Sequence, residues 1–169
     1  MPLMSNVSHL PTAMISIDIP GFGRLELAHL VSDYNGTLAL DGELLPGVAN
    51  ALSGLAPNIR IHVITADTFG LDEAKLAGLP IELTITPVEG QAEAKLRFVS
   101  DLGADSVVAI GNGRNDHKML GAAALGIALV QREGGAAAAL ANADVVSTSI
   151  LDALELLRNP KRLVATLRS

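Results

Sequence analysis

From residue 24 onward, short aliphatic runs alternate with segments of helical period, and each run stops at a polar, turn-forming loop. Strands are predicted near residues 61–64, 81–85, 106–110, 126–130 and 144–146, and helices near 46–55, 69–77, 89–102, 115–124, 135–141 and 150–157. Apolar runs this short, separated by helices, read as parallel strands buried on both faces and joined by right-handed crossovers. The predicted fold class is therefore α/β, a three-layer, doubly wound, mostly parallel sheet. Ahead of it, residues 14–19 and 24–31 flank Pro20-Gly21-Phe22-Gly23, which predicts an N-terminal β-hairpin whose second strand runs straight into Ser32-Asp33. Residues 1–13 read as a flexible tail and residues 14–169 as a single domain. Pro46 suits the first turn of its helix. Ser149 with Asp152 resembles a capping box, and Asn159-Pro160 precedes a last short helix over 161–168.

Composition narrows the chemistry. Of 169 residues, 49% are hydrophobic, yet the aromatics are three Phe and one Tyr with no Trp, so the core must be aliphatic. The absence of Cys excludes disulfides, thiolate zinc sites and a cysteine nucleophile, leaving catalysis to oxygen and nitrogen groups. With 12 basic residues against 18 acidic and a net charge of -6, a nucleic-acid partner is not expected. The mean hydropathy is +0.40, but the apolar stretches around 119–130 and 136–141 fall short of the roughly 18 residues that span a membrane. No basic leader precedes Arg24, the first arginine, so a cytoplasmic protein is expected.

Doubly wound sheets place ligands beyond the carboxyl ends of their strands. Three segments stand there: Asp33-Tyr34-Asn35-Gly36-Thr37, Thr65-Ala66-Asp67, and Gly111-Asn112-Gly113-Arg114-Asn115-Asp116. A carboxylate followed by a glycine turn can face a phosphorus centre while backbone N–H groups bind its oxygens. A second carboxylate from another strand end would complete a hard oxygen site suited to Mg²⁺. Singly the segments carry little: Asn35-Gly36 is also an ordinary turn dipeptide. Gly111-x-Gly113 lacks the third glycine of a dinucleotide fingerprint.

Together, and in this order, they resemble the haloacid dehalogenase (HAD) superfamily of phosphohydrolases. Asp33-Tyr34-Asn35-Gly36-Thr37-Leu38 is similar to its first motif. Val63-Ile64-Thr65-Ala66-Asp67 resembles the T-G-D segment of P-type ATPases, Lys95 with Val99 and Leu102 their K-x-x-x-V-x-x-L helix, and residues 108–116 their V-A-M-V-G-D-G-x-N-D. The resemblance covers about residues 14–169 and is nearest to the small, soluble P-type-ATPase-like HAD hydrolases. It implies a HAD-like Rossmannoid core. The stretches from Asp33 to Thr65 and from Thr65 to Lys95 are too short for a nucleotide-binding insert or a sizeable cap. The site should be open, or covered by another subunit of a homo-oligomer.

The same resemblance implies a Mg²⁺-dependent phosphomonoester phosphatase acting on a small phosphorylated substrate, with Asp33 as a nucleophile that forms an aspartyl-phosphate. Thr65 would donate to a phosphoryl oxygen beside Ala66, Gly36 and Lys95, whose ammonium offsets charge; Lys75 is the alternative lysine. Mg²⁺ would be held by Asp33, the Asn35 carbonyl, Asn112, and Asp116 directly or through water. Asn35 stands where HAD phosphatases carry a general acid–base Asp, a loss worth ~10²–10⁴-fold, and Asn112 stands where G-D-G has its Asp. Asp41, Asp67 and His117 lie near enough in sequence to be substitute proton carriers or solvated loop residues. Asp144 reads as a strand-end residue. The alternative function is a catalytically weak phosphate- or metal-binding or regulatory protein. A receiver-like phosphoacceptor ranks below both, because Asp33 follows the first core strand. Tyr34 and Phe69 are the rings nearest the proposed site, too few to favour a nucleotide substrate.

Overall fold

The aliphatic segment 24–31 is divided at Ala28. Its N–H donates to the Ser106 carbonyl (2.9 Å) and its own carbonyl accepts from Arg60 N–H (3.0 Å), so the chain leaves the hairpin at that residue. The computed structural model describes residues 13–67 and 70–169; most of the tail expected over 1–13 lies outside them. β1 (Ile15–Ile19) and β2 (Gly23–Leu27) pair antiparallel as a separate hairpin, with Ile15, Ile17 and Ile19 inward. β3 (His29–Asp33) enters the main sheet. The single second strand expected over 24–31 is therefore two strands in two sheets.

After β3 comes a small antiparallel pair, β4 (Ala39–Leu40) and β5 (Glu43–Leu44), then α1 (Val48–Leu55) and β6 (Arg60–Thr65). Pro46 precedes α1 instead of opening it, because Gly47 takes the left-handed conformation (φ 86°) at the cap. α2 (Leu71–Leu76), β7 (Glu82–Ile85), α3 (Gln91–Leu102) and β8 (Val107–Gly111) follow. A short 3₁₀ turn over Arg114–Asp116 leads into α4 (His117–Ala122), so the helix expected over 115–124 starts later and tighter. β9 (Leu125–Leu129), α5 (Ala137–Asn142), β10 (Val145–Ser147), α6 (Ile150–Arg158) and α7 (Pro160–Leu167) complete the order. The Ser149 hydroxyl accepts from Asp152 N–H (3.3 Å) at the start of α6, as the capping pattern predicts.

The six main strands run β10-β9-β8-β3-β6-β7, every neighbouring pair parallel. Side chains alternate between two apolar layers, as the strand period of two requires. In β8, Val108 and Ile110 join one layer with α1, α6 and the β1–β2 hairpin, while Val107 and Ala109 join the other with α3, α4 and α5. Each fully buried Leu, Ile or Val adds about 1.5–3 kcal/mol, so an aliphatic sheet with helices on both faces is stable with few rings. Tyr34 is buried at 0% exposure, its hydroxyl donating to the Gly42 carbonyl (2.9 Å).

Candidate active site

Three adjacent strands end side by side: β3 at Asp33, β6 at Thr65 and β8 at Gly111. β3 lies between the other two, where the strand order reverses and a crevice opens beyond the carboxyl ends. A cavity of about 820 Å³ occupies that crevice, and Asp33, Asn35, Thr65, Ala66 and Asn112 stand in its wall. The residues expected at the site are thus brought together by sheet topology.

Lys95 comes from α3 and is 1% exposed. Its ammonium uses all three hydrogens, donating to Asp116 Oδ1 (2.7 Å), Asp33 Oδ1 (3.1 Å) and Asn115 Oδ1 (3.2 Å). Burial alone would push the ammonium down, but the Asp33 and Asp116 carboxylates outweigh it and hold Lys95 above the usual lysine range. Asp33 is pushed up to about 7 by its burial and then by the Asp116 charge, against the pull of Lys95. Two buried carboxylates therefore share one ammonium, and the pocket keeps an excess negative charge. Lys75, the alternative lysine, is instead paired with Glu43 of β5 (2.7 Å).

Two glycines let this cluster close. A Cβ on Gly111 would lie 2.5 Å from Asp116 Cγ. Gly36 has φ +79°, and a Cβ there would lie 2.5 Å from Asn112 Nδ2. Asn112 in turn donates to the Gly134 carbonyl (3.1 Å), and the Thr37 hydroxyl lies 3.4 Å from both Asn112 Oδ1 and Asp33 Oδ2. Asp116 Oδ2 accepts from Gly113 N–H (2.9 Å).

The proposed proton carriers separate in space. Asp67 accepts the backbone N–H groups of Leu71 and Glu73, both at 3.0 Å, and so anchors the start of α2 at the cavity wall. Asp41 also reaches the wall, from a turn with φ 51°. His117 lines a different cleft, with Nδ1 2.6 Å from the Arg114 carbonyl. Asp144 accepts from Gly126 N–H (2.8 Å), a strand-end contact as its position suggests. Tyr34 is core and offers no face to a ligand, whereas Phe69 lies outside the described residues.

Several participants were not singled out by sequence reasoning. Asn115 bridges Lys95 to Gln91, whose Oε1 accepts from Asn115 Nδ2 (2.8 Å). Gln131 donates to the carbonyls of Gly36 (3.2 Å) and Thr37 (3.0 Å) and accepts from Ile150 N–H (2.8 Å), tying the loop after β3 to the start of α6. Asp72, 6% exposed, accepts from the Thr65 hydroxyl (2.6 Å). The cavity wall also carries Asp41, Glu43, Asp67 and Glu133, while Lys75 is its one lysine or arginine among the described residues.

The donor set fits a small hard cation. Among the described residues no three His, Cys, Asp or Glu side chains converge as a metal site. The Asp33 and Asp116 carboxylates, which share one ammonium, and the Asn112 amide oxygen nonetheless supply hard oxygen donors, and Mg²⁺ accepts an incomplete set by keeping several waters.

The fold is the one seen in HAD-superfamily structures, and on it Asp33 follows the first core strand, Thr65 the next, Lys95 stands on a helix and Asp116 follows the Gly111-Asn112-Gly113 loop. A HAD superfamily (subfamily III A) hydrolase from Legionella pneumophila shares the fold at TM-score 0.67 and 17% identity, over 83% of this chain and 87% of that one. The 3-deoxy-D-manno-octulosonate 8-phosphate phosphatase from Moraxella catarrhalis, solved with magnesium ion, phosphate ion and KDO, does so at TM-score 0.61 and 20% identity, over 84% and 94%. No family model matches the sequence. The chain belongs to one family with an uncharacterized protein of Methanocaldococcus jannaschii, 40% identical over an alignment of 79 residues that covers 44% of this chain and 85% of that protein. Among the described residues no helix is long and apolar enough to cross a membrane.

Proposed function

We propose that the chain is a Mg²⁺-dependent phosphomonoester phosphatase that works through an aspartyl-phosphate on Asp33. The observation that carries this reading is the Asp33 carboxylate, held by the buried Lys95 at 3.1 Å and opening on the cavity shared with Thr65 and Asn35. The magnesium- and phosphate-bound phosphatase of the same fold supports the choice of ion and substrate class. Asp33, the Asn35 carbonyl, Asn112 and Asp116 would hold Mg²⁺. Asp116 already spends both oxygens on Lys95 and Gly113 N–H, which suits contact through water. Mg²⁺, when bound, offsets the phosphate charge and favours ionised Asp33.

In this reading residues 14–169 act as one catalytic unit on a small phosphorylated molecule. Asp33 attacks phosphorus, the bond to the leaving oxygen breaks, and that oxygen takes a proton from solvent water. Water then cleaves the aspartyl-phosphate and restores the carboxylate. Lys95 stays paired throughout and offsets the charge on Asp33 and the phosphoryl group. Asn35 cannot exchange a proton, so turnover is slow. That same residue favours the second reading, a phosphate- or metal-binding protein without useful turnover.

The two readings part in one assay. The protein and its Asp33→Asn variant are incubated with Mg²⁺ and a panel of phosphomonoesters that includes an activated aryl phosphate. Phosphate release that depends on Asp33 is expected; none on any substrate would leave the binding reading standing.

A further inference from the structure

Thr65 and Asp72 form a buried pair in the wall of the Asp33 cavity, 5% and 6% exposed, with Oγ1 to Oδ2 at 2.6 Å. A hydroxyl has one hydrogen to give. While Asp72 is ionised that hydrogen belongs to the carboxylate, and 2.6 Å lies in the range of a charge-assisted O–H···O⁻ bond. Thr65 then turns only lone pairs to the cavity, where a phosphoryl oxygen would meet oxygen against oxygen. If Thr65 swung its hydrogen onto the phosphoryl group while Asp72 stayed charged, a buried carboxylate would lose its partner beside an incoming anion, which is strongly unfavourable.

We infer that Asp72 takes up one proton from solvent when a phosphoryl group docks on Thr65, so that the bond between them reverses. The Asp72 carboxyl then donates to Thr65 Oγ1, and the Thr65 hydroxyl donates to the phosphoryl oxygen. Asp72 is thus a positioning residue that acts through Thr65. The inference rests on Thr65 being a phosphoryl contact, as proposed above.

The surroundings of Asp72 favour the change. Asp67 faces it from the loop before α2, the Tyr34 hydroxyl is raised by the charges of Asp72, Glu43 and Asp67 together, and Lys75 on α2 itself is tied to Glu43. Asp33 and its Lys95 complete the charged groups on the same cavity. Among the described residues no lysine or arginine is bonded to Asp72. Burial raises the Asp72 carboxyl, the Thr65 hydrogen bond lowers it and the Asp67 charge raises it, with a net upward direction.

The test is sulfate binding to the full chain in the presence of Mg²⁺. Sulfate stays doubly ionised between about pH 6 and 8.5, so any proton taken up belongs to the protein. Affinity of the unaltered protein should fall with rising pH, by at most about tenfold per unit for this proton. In Asp72→Asn the amide donates to Thr65 in place of the acid; that component of the slope should vanish, and binding near pH 8.5 should exceed that of the unaltered protein. In a Thr65→Val background, Asp72→Asn should leave the slope unchanged, and any gain in affinity should be only the pH-independent one of removing a negative charge. Calorimetry in buffers of different ionisation heat counts the total proton uptake, to which Asp33 also contributes, and the count should be smaller for Asp72→Asn than for the unaltered protein. Equal slopes with and without Asp72, weaker binding by Asp72→Asn at every pH, or an equal proton count for the two proteins would overturn the inference alone. Sulfate binding by none of the proteins would remove the phosphoryl site at Thr65 and the phosphatase reading with it.

Discussion

The Lys95 ammonium lies closer to Asp116 (2.7 Å) than to Asp33 (3.1 Å), in a pocket where Lys95 is 1% and Asp116 0% exposed. The lysine is therefore as much a support of the fold as a partner of the proposed nucleophile. Lys95→Met removes the only ammonium bonded to either carboxylate among the described residues, and breaking a buried pair on one side costs about 3–5 kcal/mol. Urea unfolding of the variant should show a loss in that range, and a loss under about 1 kcal/mol would mean that the pair is already neutral or open to water.

Asn35→Asp restores a group able to carry a proton at the wall of the Asp33 cavity. Hydrolysis of phosphomonoesters should rise, with ~10²–10⁴-fold as the ceiling for a general acid–base group. Alkyl phosphates should gain more than aryl phosphates, whose leaving groups need less protonation. An unchanged rate would place the bottleneck elsewhere.

Gly111→Ala tests whether packing sets the Asp116 geometry. The new methyl would overlap the Asp116 carboxylate, and overpacking of this kind costs about 1–3 kcal/mol. Because Asp116 holds Lys95, turnover should fall together with the melting temperature. A variant that keeps both would show that the carboxylate can move at little cost.

At the opposite end of the sheet, His29 Nδ1 and His62 Nε2 are 3.0 Å apart, and His62 Nδ1 lies 3.5 Å from Glu82 without hydrogen-bond alignment. His62 is 3% exposed and packs edge-on against Phe98. Burial lowers both imidazoles; for His29 the Arg60 charge adds to it, and for His62 burial outweighs the opposing pull of Glu82, with smaller lowering by the His29 and Arg60 charges. A lowered imidazole means that the unfolded chain binds the proton better. Stability is therefore whole above the unfolded value near 6.5 and declines as pH falls below it. Urea midpoints from pH 7 to 5 should drop for the unaltered protein and drop less for His62→Leu; parallel curves would contradict this.

The sheet and the meeting of Asp33, Thr65 and Asp116 were legible in the sequence because each lies just past an aliphatic run, and parallel strands bring such positions to one edge. Lys95 was legible only through its spacing to Val99 and Leu102. The split at Ala28 was not, since it depends on bonds to Arg60 and Ser106, far away in the chain. Asp72 escaped for a related reason: it reads as a helix-start acid, and only the direction of α2 turns it back onto Thr65. Gln131 carries no motif, yet three backbone contacts make it the brace of the loop after Asp33.

The carboxylates of the cavity wall would act on an anionic substrate before it reached Asp33. Asp41, Glu43, Asp67 and Glu133 give the cavity wall a negative potential that Lys75, paired with Glu43, does not relieve. A phosphate dianion approaches uphill, so its encounter rate should climb with ionic strength as the ~8–10 Å Debye layer thins, the reverse of electrostatic steering. The rise of kcat/KM with added salt should be steepest for the most highly charged phosphates, and a zwitterionic phosphoester with a cationic tail should be captured almost independently of salt.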